Sequence, residues 1–143
     1  MYRAHYTLHS TLYDLHKAAK TLLHYANKQR LWLLEGDMGA GKTTLVRALC
    51  THLDVRDNVT SPTFSLVQEY ATASGVPVYH FDFYRVRHEA EVHDLDCTSY
   101  FRSGHYCFIE WPAKLYELPL PPYCKVHITP LPNGHRVLHM HCY

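Results

Sequence analysis

Gly36-Asp37-Met38-Gly39-Ala40-Gly41-Lys42-Thr43 satisfies the pattern G-x-x-x-x-G-K-[ST] in full, and the reading of this stretch decides the fold. The apolar run Leu31 to Leu34 leads into it as a short buried strand would, and after Lys42 the residues Leu45, Val46, Leu49 and Leu53 mark the buried stripe of a helix. Strand, glycine loop and helix in that order form a phosphate-binding device. Glycines let successive backbone N–H groups close around a phosphate chain at the positive end of the helix. Lys42 then reaches the β- and γ-phosphates, the Thr43 hydroxyl ligates Mg²⁺, and Thr44 is placed to meet the α-phosphate.

Outward from the loop, Arg3 to Leu8 alternates like a strand. Thr11 and Asp14 then stand at capping-box spacing, and the apolar residues from Leu12 to Ala26 predict an amphipathic helix of about four turns. Phe64 to Tyr70 and Val76 to Phe83 predict one hairpin, and Lys125 to Thr129 and Arg136 to His141, around Pro132-Asn133-Gly134, a second. Glu89 to Leu95 is weakly helical, and Tyr106 to Ile109 is a continuous apolar run of the buried-strand type. A crossover helix after the loop demands parallel neighbours. The expected fold is therefore α/β: a three-layer domain like a P-loop NTPase, its mixed central sheet having parallel core strands and marginal antiparallel hairpins. With no repeat and no long linker, residues 1–143 read as one domain.

A magnesium-bound nucleotide needs a carboxylate beyond the loop, commonly at the C-terminal end of a neighbouring buried strand. Glu110, closing the run Tyr106-Cys107-Phe108-Ile109, is the first candidate, and Asp82, closing Val78-Tyr79-His80-Phe81, the second. Ser61-Pro62-Thr63 enters a strand shortly after the loop helix, where a hydroxyl can be set against the γ-phosphate or metal.

Composition narrows the field. Lys plus Arg total 14 against 13 Asp plus Glu, so the strong basic bias of a protein that grips nucleic acid by phosphate neutralisation is missing. The 5 cysteines form no CxxC pair, which argues against a disulfide framework or a thiolate zinc site and for a reducing cytoplasm. The start, MYRAHYTLHS, lacks the apolar core of a leader, and no apolar run is long enough to span a membrane, so a soluble, unprocessed chain is expected. His135, His139 and His141 share strand parity, with Cys142 just beyond, and read as an exposed polar hairpin face rather than a metal site.

Four segments together resemble one family, the bacterial tRNA threonylcarbamoyladenosine biosynthesis ATPases called TsaE or YjeE. LEGDMGAGKTTLVRAL (34–49) is similar to that family's phosphate loop, SPTFSLVQEY (61–70) to its S-P-T-[FY] segment, YHFDFYR (79–85) to its H-x-D-x-Y-R signature and FIEWP (108–112) to its E-W-P signature. The resemblance implies Mg-ATP as ligand, with Asp82 and Glu110 both serving the site, Thr63 acting as a switch residue and Trp111 lying beside the nucleotide. It implies an adenine end near Ser10 and Thr11. It also implies a slow ATPase that acts on a complex of a TsaD-like carbamoyltransferase and its TsaB-like paralogue, touching tRNA only indirectly and no membrane. Where that family commonly has a glycine, Asp96 and Cys97 stand here. Two other readings compete: a small-molecule P-loop kinase, against which only Arg85 and Arg87 cluster after the loop and no lid-length insertion is present, and a nucleotide-gated binding module with negligible turnover. A GTPase is disfavoured because the Asn27-Lys28 pair precedes the loop and lacks a base-reading Asp.

Overall fold

The computed structural model describes residues 4–11, 13–62 and 66–143. In chain order the elements are β1 (Ala4–Ser10), α1 (Leu15–Tyr25), β2 (Leu31–Glu35), α2 (Lys42–His52), β3 (Val67–Ala71) and β4 (Pro77–Asp82). There follow α3 (Glu89–Asp94), α4 (Cys97–Phe101), β5 (Cys107–Glu110), a 3-10 turn (Pro112–Leu115), β6 (Cys124–Pro130) and β7 (Arg136–Cys142). They build a 7-stranded sheet in the order β1-β7-β6-β2-β5-β4-β3. The strands β6, β2, β5 and β4 run parallel, and β3, β7 and β1 are added antiparallel at the margins. The expected mixed sheet is what forms.

Because β2 and β5 lie in the middle, their residues are buried on both faces, and the run Leu31, Trp32, Leu33, Leu34 divides between two cores. On one face Trp32 and Leu34 pack with Leu15, Ala19 and Leu22 of α1 and Leu45 and Leu49 of α2. On the other, Leu31 and Leu33 pack with Phe81, Ile109 and residues of α3, α4 and the 3-10 turn, such as Val92, Phe101 and Leu115. Helices thus cover the sheet on both sides, the three layers anticipated. No helix among the described residues is long and apolar enough to cross a membrane.

Two local readings change. First, α1 covers 11 residues, about three turns rather than four, because Thr11 and Asp14 spend the first turn on a capping box: Thr11 N–H donates to Asp14 Oδ1 at 2.6 Å and Asp14 N–H to Thr11 Oγ1 at 3.2 Å. Second, Cys124 and Cys142 are not isolated thiols. They sit directly opposite one another on β6 and β7 and are joined as a disulfide across 18 residues of sequence, a pairing visible only once the hairpin register is known. On β7, Cys142 is buried and faces away from the partly exposed His139 and His141, and among the described residues no three His, Cys, Asp or Glu side chains converge to hold a metal. The departure at Asp96 is only chemical: its φ of 53° is the left-handed conformation a glycine would supply, and its carboxylate accepts from Ser99 Oγ.

Truncating the doubly covered centre of the sheet should be costly. Ile109→Ala is expected to lower unfolding free energy by roughly 2–5 kcal/mol, read from the shift in urea midpoint at unchanged slope.

Candidate nucleotide-binding site

A parallel ladder brings the C-terminal ends of its strands to one edge, and the site is built there. Beyond β2 the chain turns back sharply into α2. Gly36 can have no side chain, since a Cβ would lie 2.9 Å from the Ile128 carbonyl oxygen on neighbouring β6. Gly41, the residue that starts α2, holds φ at 106°, a conformation closed to other residues at low cost. The loop between them carries free backbone donors at a helix N-terminus, the electrostatic requirement for holding phosphate.

Lys42 is buried, which pushes its ammonium below its ordinary pKa, while the nearby charges of Glu110, Asp82 and Asp37 oppose that shift. Its Nζ donates to the carbonyls of Gly36 and Asp37 and lies 3.7 Å from the centroid of the Trp111 ring. Trp111 itself adopts φ of 57°, unusual for a bulky residue, and its ring leans on Tyr84 at 4.9 Å. The tryptophan therefore lies on the lysine, at the edge of the loop.

Asp82 and Glu110 are direct partners across β4 and β5, so both acids end at the same level. The Thr43 hydroxyl donates to Glu110 Oε1 at 2.9 Å and lies 2.9 Å from Ser61 Oγ, which reaches Glu110 Oε2 at 3.3 Å. Asp82 Oδ1 accepts from the Tyr84 N–H at 2.9 Å, and burial foremost holds its carboxyl above the usual carboxylate pKa. Two carboxylates and two hydroxyls form an all-oxygen donor set, suited to a hard cation such as magnesium that fills its other positions with phosphate oxygens and water. The residues present fit that ion.

Behind Glu110 runs a buried chain. Tyr70 donates its single hydroxyl proton to the Thr60 carbonyl at 2.7 Å, so its oxygen accepts from His80 Nδ1 at 3.0 Å. The other ring nitrogen, Nε2, lies 2.6 Å from Glu110 Oε2. One proton therefore lies between imidazole and carboxylate, and Glu110 Oε2 is fixed from behind.

These groups border a cavity of about 360 Å³. Met38, Gly39, Gly41, Lys42, Thr43 and Thr44 line it from the loop, and Asp82, Glu110 and Trp111 from the strand ends. Gly36, Asp37 and Ala40 shape the loop without lining the cavity. Thr11 also stays off its wall, engaged in the capping box. Thr63 lies outside the described residues, and the hydroxyl found beside Thr43 and Glu110 is that of Ser61. Two contributors have no role assigned by sequence reading: His80, legible only as the first residue of the H-x-D-x-Y-R segment, and Arg136, whose Nε donates to the Ala40 carbonyl at 2.8 Å from another strand altogether.

The half-buried Asp82 has a stability consequence. A carboxyl whose pKa is raised on folding makes the folded state bind more protons than the unfolded one, so stability falls as pH rises through that window. Asp82→Asn should accordingly raise the melting temperature of the nucleotide-free protein at pH 7, and the gain should shrink as pH drops into the carboxylate range. Scanning calorimetry across pH checks both.

Comparisons with known proteins agree with this geometry. The family model described as "Threonylcarbamoyl adenosine biosynthesis protein TsaE" matches residues 9–138. The tRNA threonylcarbamoyladenosine biosynthesis protein TsaE of Haemophilus influenzae is 41% identical over 99 residues, covering 68% of this chain and 62% of that protein. The Bacillus subtilis protein of the same name is 40% identical over 103 residues, 72% of this chain and 63% of its own length. The Rickettsia felis protein is 34% identical over 122 residues, 85% of this chain and 70% of its own length. The chain thus matches a little over three fifths of the length of the first two relatives. In fold it resembles the crystal structure of Bacillus subtilis YdiB, with a TM-score of 0.73 at 24% identity over 99% of this chain and 88% of that one. Motifs scattered from residue 34 to residue 112 meet around one cavity, the family model runs from the end of β1 into β7, and the chain belongs to the TsaE family.

Proposed function

We propose that this chain is a single nucleotide-binding domain that takes up ATP with magnesium at the loop cavity and hydrolyses it slowly, driving a step in the threonylcarbamoyladenosine modification of tRNA. The observation that carries the reading is the hydroxyl of Thr43 held by Glu110 beside Asp82, at the mouth of a phosphate loop. The family name and the names of the relatives supply the pathway.

In this reading the loop amides of residues 36–43 bind the phosphate chain, and Lys42 exchanges the carbonyls of Gly36 and Asp37 for phosphate oxygens. Thr43 and Asp82 would hold magnesium, which when bound neutralises charge developing on the transferred phosphoryl group. Glu110, gripped by His80, is also the group to orient an attacking water, while Trp111 and Tyr84 screen the phosphates from solvent. Turnover is set by partners, a TsaD-like carbamoyltransferase and a TsaB-like paralogue, in the cytoplasm, with tRNA contacted only through them.

Lys42→Ala should lose most nucleotide affinity, whereas Thr43→Ala should weaken chiefly the magnesium-dependent part; nucleotide titrations with and without Mg²⁺ separate the two. Wild-type affinity in Lys42→Ala would remove the assigned site.

The two acids should differ. Asp82→Ala is expected to weaken Mg-ATP binding and hydrolysis together, while Glu110→Gln spares binding and slows the chemical step by about 10²-fold or more, measured in single-turnover reactions with partners present. Collapse of binding in Glu110→Gln would instead make Glu110 a metal ligand first, and an unchanged hydrolysis rate would deny it the water.

A further inference from the structure

The two edges of the sheet, β3 and β1, are finished differently. Alongside β3 lies the segment 55–57. Val55 bridges Thr72, the Arg56 N–H donates to the Ala71 carbonyl at 3.1 Å, and the Ala71 N–H donates to the Asp57 carboxylate at 2.6 Å. The exposed Glu69 adds a charge to the same edge. Devices of this kind keep a foreign strand from adding to a sheet. The β1 edge has none of them. Among the described residues β1 pairs only with β7, and Ala4–Ser10 contains no proline, glycine, carboxylate, lysine or arginine.

The phase of the ladder decides which backbone groups of β1 face outward. In a strand the N–H and C=O of one residue point to the same neighbour, and those of the next residue to the other. The Tyr143 N–H donates to the Tyr123 carbonyl and the Leu131 N–H to the His135 carbonyl, each at 2.8 Å, so the odd-numbered residues of β7 bond toward β6. The even-numbered ones, Arg136 through Cys142, therefore bond toward β1, where their partners in register are Ser10, Leu8, Tyr6 and Ala4. His5, Thr7 and His9 turn their backbone N–H and C=O away from the sheet, and none of these groups has a partner among the described residues. Donors and acceptors thus alternate along a bare edge.

That edge is complementary to itself. Antiparallel pairing about a two-fold axis at Thr7 sets Thr7 opposite Thr7 and His5 opposite His9, and every outward N–H then meets an outward C=O. An axis at His5 or at His9 leaves outward groups of the described strand without partners. The side chains match in the same register. Tyr6 and Leu8, both partly buried against the core under α1, fall opposite one another, while the exposed His5, Thr7 and His9 share the open face. We propose that β1 is a self-association surface whose occupant is the β1 of a second copy of this chain, joining two sheets into one across a two-fold axis at Thr7. The pairing consumes the edge, so assembly stops at two chains.

Sedimentation velocity over a concentration series should show wild type passing from one chain to two and no further. Amide exchange followed by NMR should show the N–H groups of His5, Thr7 and His9 slowing as concentration rises, while those of Tyr6 and Leu8 stay protected throughout. Thr7→Lys, which sets two ammonium groups opposite one another at the axis, should raise the dimer dissociation constant about tenfold or more. Thr7→Pro removes an outward N–H and no bond to β7, so the variant should fold and remain a monomer. Four results would each overturn the proposal: wild type monomeric up to about 1 mM, growth beyond two chains, a dimer whose Thr7 amide exchanges as fast as the monomer's, or a dimer undiminished in Thr7→Lys. Should Thr7→Pro fail to fold, the exchange pattern of wild type and the Thr7→Lys constant decide.

Discussion

A strand that must reverse into a helix while keeping its backbone donors pointed inward is the constraint on which the rest of the structure depends. The reversal at residues 36–41 relies on its glycines: at Gly36 the backbone of β6 is too near for a side chain, Gly39 and Gly41 hold left-handed backbone, and at Gly41 the Arg136 guanidinium also occupies the place of a Cβ. Neighbouring strands therefore enter the loop's geometry as directly as its own sequence does. Place β6 a little differently and the loop loses the wall against which Gly36 is pressed.

That dependence explains what could be read from the sequence and what could not. The loop, its flanking strand and helix, and the acids Glu110 and Asp82 are local features, each announced by spacing or by an apolar run ending in a charge. The helix length erred by a turn because Thr11 and Asp14 can cap a helix without belonging to it. Contacts that need the strand order stayed hidden. His80 has no readable partner until β4 and β5 are aligned, and Arg136 lies 96 residues from the carbonyl it holds. The cysteine reading failed for the same reason, since Cys124 and Cys142 are neighbours by register and not by sequence.

Polar groups inside a core are tolerated when each finds a partner, and the chain Thr60, Tyr70, His80, Glu110, Thr43, Ser61 meets that condition link by link. Its cost in desolvation is offset by what it fixes. With three side chains on its two oxygens, Glu110 cannot swing away when the cavity is empty, so the orientation needed for a metal or a water exists beforehand.

The pairing of β1 with β7 joins Ala4 to Cys142, nearly the full described length of the chain. A ribosome makes β1 and the phosphate loop early and β7 late, so β1 must wait without a sheet partner while every other strand is synthesised. Such long-range closure is slow, and the apolar face of β1, with Tyr6 and Leu8, is exposed to the wrong neighbours meanwhile. Since β7 also delivers Arg136 to the loop, the last strand to dock closes the sheet and completes the wall of the cavity in the same step, and a half-made chain has neither.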